Sequence, residues 1–203
     1  MLLLISGPSG SGKTPLLYRV LETFPIFSKI QSYTTRKNRK KEVQGTYVYL
    51  TLGQFEKKIK ENFFFEYSKV HKDQEYYGMS RESYEKIVGD GRIPIKDIDV
   101  DSFKRLKEAN ELDIVGIYIT VQNRGILFDR LRERGESERT INLRLHDRVD
   151  YENSFSKYYD HVVYTDDFEK AYKQVCKIIS DEFKKRDIKC KKCKPSGKYE
   201  HMF

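Results

Sequence analysis

Cysteine is scarce: three residues in a chain of 203. That is too few for a disulfide framework at this size, so a reducing cytoplasm is the expected compartment. Long apolar runs are absent too. No stretch approaches the roughly 20 residues that a membrane-crossing helix needs, and no membrane partner is expected. The apolar start Met1–Ile5 has no basic leader and passes at once into glycine-rich sequence, so it does not read as a signal peptide. No Pro- or Ser-rich linker and no internal repeat divides the chain.

Hydrophobic residues make up 38% and charged residues 34%, which fits one sizeable soluble core with a lobe inserted into it. The formal net charge of +8 is unevenly spread. From residue 184 onward eight Lys or Arg stand against two acids, so most of the excess lies in a tail. Nucleic-acid contact is expected only there, and weakly. A second cluster, Arg36-Lys37-Asn38-Arg39-Lys40-Lys41, carries five positive charges in six residues. A solvated charge run is the plain alternative for both.

The most specific motif is Gly7-Pro8-Ser9-Gly10-Ser11-Gly12-Lys13-Thr14, a G-x-x-x-x-G-K-[ST] phosphate-binding loop between an apolar strand and a helical pattern. Its glycines let backbone N–H groups point at phosphate oxygens, and the helix N-terminus adds partial positive charge. Gly7, Ser9, Gly10, Ser11, Gly12, Lys13 and Thr14 are the expected ATP-binding set. Lys13 would reach the β- and γ-phosphates and Thr14 would hold Mg²⁺. A glycine-rich turn without ligand is the alternative.

Periodicity predicts strands at 2–5, 29–33, 92–98, 113–120 and 160–164. Helices are predicted over 15–24, 101–109, 123–134, from about Ser137 to about Tyr158, and over 166–184. This alternation implies an α/β fold with a parallel five-stranded sheet flanked by helices. Between residues 34 and 91 the pattern changes to short aromatic-rich strands (47–51, 62–70, 75–77) with helices at 52–60 and 80–88, which suggests a small sheet of their own. The expected division is a core at 1–33 and 92–185 with a helical lid at about 123–150, an inserted lobe at 34–91, and a loose basic tail at 186–203.

The phosphate loop, Ser32-Tyr33-Thr34-Thr35-Arg36 and Asp97-Ile98-Asp99 together resemble the guanylate kinase family of P-loop nucleoside monophosphate kinases, in order and spacing over roughly residues 1–182. The resemblance implies a P-loop core, an inserted GMP-binding lobe and a mobile lid. It also implies phosphoryl transfer from ATP to GMP or dGMP with Mg²⁺. By position it assigns Arg36 and Arg39 to the GMP phosphate, where paired guanidinium donors suit the anion, aided by Tyr47 and Tyr77. Glu66 matches the base-reading carboxylate, which can accept from the adjacent N1–H and N2 amino donors of guanine. Ser32 would donate to O6, or cap a turn. Asp97 would stand near the metal and Asp99 near the GMP lobe; strand-end aspartates also serve as helix caps. Arg130, Arg134 and Arg144 match the lid and catalytic arginines, with an exposed basic helix as the alternative.

Several positions depart from the family pattern. Pro15 replaces a hydroxyl residue and lacks the N–H that commonly faces the α-phosphate, so weaker nucleotide binding is expected. Met79 stands where a hydroxyl near guanine is usual. Asp101-Ser102 replaces Gln-Gly, Thr165 stands where Asn often contacts adenine, and the segment Gly45-Thr46-Tyr47 is one residue short. Lys37-Asn38 and Lys40-Lys41 replace a Pro- and Gly-containing loop. Cys190-Lys191-Lys192-Cys193 is a single C-x-x-C, which Cys176 and His201 could in principle complete as a zinc site, and a flexible lysine-rich tail is the preferred reading. A kinase of another phosphorylated acceptor, such as a ribose bisphosphate, and a non-catalytic phosphopeptide-binding module are the rival functions. Monomer and homodimer both remain open.

Overall fold

The computed structural model describes residues 1–38, 47–70, 75–145 and 148–190, apart from the side chains of Val70 and Arg144. Its core is a parallel sheet in the order β2-β7-β1-β8-β9, formed by β1 (Leu2–Ser6), β2 (Phe27–Lys29), β7 (Ile93–Asp97), β8 (Ile114–Thr120) and β9 (His161–Tyr164). Central strands of such a sheet are covered on both faces, and β1 and β8 are buried at every position. Alternation divides them between two cores. Leu3 and Ile5 pack with Leu16, Leu17 and Val20 of α1 (Lys13–Thr23) and with Val175 and Ile179 of α8 (Phe168–Lys185). Leu2 and Leu4 pack on the opposite face with Ile87 of α3 (Arg81–Gly89) and Phe103 of α4 (Val100–Ala109).

A second, mixed sheet has the order β4-β3-β6-β5, from β3 (Ser32–Thr34), β4 (Tyr47–Tyr49), β5 (Phe64–Val70) and β6 (Glu75–Ser80). Its helix α2 (Leu52–Lys60) starts in a capping box between Thr51 and Gln54 and buries Phe55 against Phe64. Two predicted elements are revised. The strand expected over 29–33 is two strands in two sheets. Ile30 is fully buried at the turn between them, and the Gln31 N–H is taken by the Ser83 hydroxyl at 2.9 Å. The single helix expected from Ser137 to Tyr158 is α6 (Glu138–Leu145), α7 (Arg148–Ser154) and a 3₁₀ turn at Ser156–Tyr158. Ile141 and Leu145 join a cluster with Leu127 and Leu131 of α5 (Gly125–Glu133), and Val149 at the start of α7 joins the same cluster. Later in α7, Asn153 accepts from Tyr118 Oη at 2.9 Å and Thr120 Oγ1 at 3.1 Å on the core sheet.

Residues 186–190, expected in the loose tail, are packed on the core. Arg186 pairs with Asp113 at 2.7 Å, and Ile188 and Cys190 pack against the core. Residues 191–203, including Cys193 and His201, lie outside the described residues. Among the described residues no group of three or more His, Cys, Asp or Glu is placed to hold a metal, and no helix is long and apolar enough to cross a membrane.

Candidate active site

The phosphate loop follows β1 and ends at the N-terminus of α1. Gly7 holds φ +145°, and a Cβ there would lie 1.8 Å from the Ile119 carbonyl oxygen, so the loop can pass β8 only with glycine. Gly12, at φ 85°, is the helix N-cap. Lys13 Nζ curls back to donate to the carbonyls of Gly7 at 2.6 Å and Pro8 at 2.8 Å. Burial pushes its pKa down to about 8, opposed by the Glu152 and Asp97 carboxylates. The first α1 hydrogen bond runs from Leu16 N to Gly12 O at 3.2 Å. Pro15 therefore sits where the helix needs no N–H, and only the loop's outward donor set loses a member.

Gly7, Ser9, Gly10, Gly12, Lys13 and Thr14 line a cleft of about 710 Å³, which they share with Ser32, Tyr47, Glu66, Tyr77, Asp97, Asp99 and Arg134. Ser11 is buried outside the lining, and its carbonyl accepts from Thr165 Oγ1 at 2.7 Å.

The far wall of the cleft is the second sheet. Ser32, Met79 and Glu66 lie side by side on β3, β6 and β5. A β-bulge sets this arrangement. Phe64 pairs with Ser80 and Glu66 with Met79, leaving Phe65 as the extra residue, stacked on Tyr84 of α3 at 4.9 Å. Strict alternation would put Glu66 on the face of Phe64, toward α2. With the bulge it joins Ser32, Met79, Ser68 and Tyr77 on the cleft face. Glu66 is 9% exposed and pairs with Arg105. Burial raises its pKa; the hydrogen bond from Arg105 works against that. The Ser32 hydroxyl is buried and bonds to no other described group. Met79 is 2% exposed between these two polar groups, and the Ser80 hydroxyl is used as the α3 cap, accepting from Ser83 N.

The arginine and tyrosines expected at the acceptor phosphate cluster near one edge of this sheet. Arg36 is buried with its guanidinium 5.3 Å from the Tyr47 ring centroid, and Tyr47 meets Tyr77 edge-on at 6.1 Å. Lys29 and Lys96 also approach the Tyr47 ring, at 5.8 and 5.5 Å. Arg39 lies outside the described residues. Tyr77 Oη donates to Glu75 at 3.1 Å.

Asp97 ends β7, where ligands of open α/β sheets bind. Its Oδ2 is 3.4 Å from Thr14 Oγ1 and its Oδ1 3.2 Å from Lys96 Nζ. Burial would raise its pKa, but Lys96, Lys29 and Lys13 overcome that and hold it well below the usual carboxylate range. Asp99 both lines the cleft and caps α4, accepting from Ser102 N at 2.9 Å, Ser102 Oγ at 2.7 Å and Ser68 Oγ at 2.8 Å.

The three arginines expected for a lid and for catalysis are placed differently. Arg134 faces the cleft. Arg130 donates to Gly10 O at 3.2 Å and Thr165 O at 2.6 Å, bracing the phosphate loop from behind. Arg144 lies in α6, but its side chain is outside the described set. Sequence reasoning missed Lys96, Arg148 and Glu152. Arg148 Nε donates to the buried Glu152 at 2.6 Å, and both line the cleft with Lys96. Lys96 had a signal, a lone charge in the apolar strand Ile93-Pro94-Ile95-Lys96; Arg148 and Glu152 are four apart on a helix and look like any surface pair.

A guanylate kinase family model matches residues 1–182. The guanylate kinase of Rickettsia bellii is 35% identical over 189 residues, covering 92% of this chain and 97% of that protein. Guanylate kinase 1 of Oryza sativa subsp. japonica is 34% identical over 183 residues, covering 88% of this chain and 47% of that protein. The crystal structure of guanylate kinase from Anaplasma phagocytophilum superposes with a TM-score of 0.70 at 23% identity, covering 90% of this chain and 85% of that one. With a matching order of motifs, a phosphate loop facing a carboxylate across one cleft, and a family model spanning nearly the whole chain, this protein belongs to the guanylate kinase family.

Proposed function

We propose that the protein transfers the γ-phosphoryl group of ATP directly to GMP (or dGMP), giving ADP and GDP (or dGDP), with no covalent enzyme intermediate. One observation carries this: the phosphate loop and the Ser32–Glu66 pair face each other across a single cleft, with cationic side chains between them. In this reading Gly7, Ser9, Gly10, Gly12, Lys13 and Thr14 hold the ATP phosphates through loop N–H groups and the helix N-terminus, while Ser11, whose N–H donates to the Pro8 carbonyl at 3.1 Å, shapes the loop. Glu66 accepts from guanine N1–H and the N2 amino group, and Ser32 donates to O6. Arg36, Arg39, Tyr47 and Tyr77 grip the acceptor phosphate, and Asp99 fixes the wall beside the base. Lys13 leaves the Gly7 and Pro8 carbonyls to meet the β- and γ-phosphates. Arg134 and Arg144 add positive charge beside the negatively charged oxygens of the transferring group, and Arg130 acts from behind the loop. The segment 34–91 serves as the acceptor lobe and 123–150 as the lid that excludes water.

The donor set near the loop suits Mg²⁺. A hydroxyl (Thr14) and an ionised carboxylate (Asp97) stand 3.4 Å apart, and Mg²⁺ takes few protein oxygens beside phosphate and water. Bound with ATP, Mg²⁺ would neutralise charge on the β- and γ-phosphates. Coupled ADP-release kinetics over GMP, dGMP, IMP, AMP and sugar phosphates test the reading. GMP or dGMP should be the best acceptor. Lys13→Ala should lower kcat by about 10²–10³-fold, and Glu66→Ala should abolish the preference for guanine. Folded protein that turns over none of these acceptors would overturn the proposal.

A further inference from the structure

Glu66 is held by Arg105, a side chain that no sequence motif marked. Asp99, Ser102 and Arg105 are spaced by three residues along the start of α4 and form a hydrogen-bonded chain. Asp99 accepts from the Ser102 hydroxyl, and the Ser102 hydroxyl accepts from Arg105 Nη2 at 3.1 Å. The same nitrogen of Arg105 donates to Glu66 Oε1 and, at 3.2 Å, to the Tyr67 carbonyl. Two residues further along β5, Ser68 donates to Asp99. The first turn of α4, on the core sheet, thus grips β5 of the small sheet at Glu66, Tyr67 and Ser68.

Arg105 reaches Glu66 from outside the cleft. Its side chain is 51% exposed and is not among the lining residues, whereas Glu66 and Ser102 are. It touches one carboxylate oxygen, so the cleft side of the carboxylate keeps acceptor positions for a ligand. We infer that Arg105, relayed through Ser102, is a positioning residue for base recognition: it fixes the Glu66 carboxylate, ionised and aimed into the cleft, for the paired donors of a guanine edge. This rests on the acceptor reading proposed above. The physical need is clear. Burial favours the neutral acid, and a protonated Glu66 would offer one donor and one poorer acceptor to a base that presents two donors. The charged groups that face Glu66 are Arg105 of α4, which favours the carboxylate, and Asp99 of the preceding turn, which opposes it.

The test compares wild type, Arg105→Ala, Arg105→Lys and Glu66→Gln with GMP and IMP as acceptors; IMP lacks the N2 amino group. Arg105→Ala should raise KM for GMP roughly tenfold, raise KM for IMP less, and leave kcat and KM for ATP within about twofold. Arg105→Lys should restore part of the loss, and Arg105→Ala should add nothing in a Glu66→Gln background. The Glu66 carboxyl, followed by ¹³C NMR, should titrate at least about half a pH unit higher in Arg105→Ala. An unchanged KM for GMP, or a lower one (which would make Arg105 a competitor of the base), overturns the inference and leaves GMP as the acceptor. If the wild type does not use GMP, the acceptor reading itself falls. The titration then decides whether Arg105 controls Glu66, an unchanged midpoint overturning that as well.

Discussion

At the scale of single residues, Pro15 and Lys13 show how one loop position affects donors without disturbing the fold. The helix begins with the Leu16–Gly12 bond, so proline is accommodated and its cost falls on the anion site alone. Pro15→Thr restores one N–H at the helix N-terminus and is expected to tighten ATP binding about fivefold to tenfold, since hydrogen bonds to charged groups contribute about 1.5–3 kcal/mol before the flexibility regained is subtracted. Calorimetric titration of both proteins with ATP checks this, and equal affinities would show that the missing amide does not face a phosphate. The sequence marked Ser32 and Glu66 as site candidates, and both line the cleft. The reason Glu66 points into the cleft was not legible there, because it depends on how many residues separate it from the partner strand's Met79.

At the scale of elements, the continuous apolar runs of β1 and β8 foretold strands buried on both faces, and α2 was legible residue for residue, since a capping box marks its start. Two things were hidden. A break inside a continuous helical pattern depends on tertiary contacts: α6 and the start of α7 share one cluster, while the end of α7 is held to the core sheet through Asn153. A strand that changes sheets at Ile30 carries no periodicity of its own. Gly116 was hidden as well. A Cβ there would sit 2.5 Å from the Phe103 ring, which stacks on Tyr159 with centroids 3.8 Å apart over the middle of β8. Gly116→Ala must therefore displace that pair and should cost about 1–3 kcal/mol, read as a lower urea midpoint with unchanged slope. A variant as stable as wild type would mean that the ring pair moves freely.

At the scale of the whole molecule, the end of α8 is tied to the start of β8. Arg186 donates to both oxygens of Asp113, at 2.7 and 2.8 Å, and also pairs with Glu182. The Arg186 guanidinium holds Asp113 down to about 2 from its ordinary 3.8. A carboxylate with a depressed folded pKa contributes stability above its unfolded value, and that contribution is lost as pH falls from about 4 toward 2. Asp113 is 52% exposed, so screening limits the effect to about 1 kcal/mol or less. Asp113→Asn should lower the melting temperature at pH 7 by a few degrees and leave the value at pH 2 nearly unchanged. Equal losses at both pH values would assign the effect to packing.

The bulge in β5 leaves that strand with a spare residue. Removing Phe65 restores regular pairing with Phe64 still opposite Ser80 and Glu66 still opposite Met79, at the expense of the stack on Tyr84. Exchanging Phe65 and Glu66 changes neither length nor composition, yet it moves the carboxylate into the bulge beside Tyr84. The shortened chain should therefore keep GMP turnover and the exchanged one lose it. What sets Glu66 on the cleft face is the tally of residues back from Met79, and in that tally Phe65 does not count.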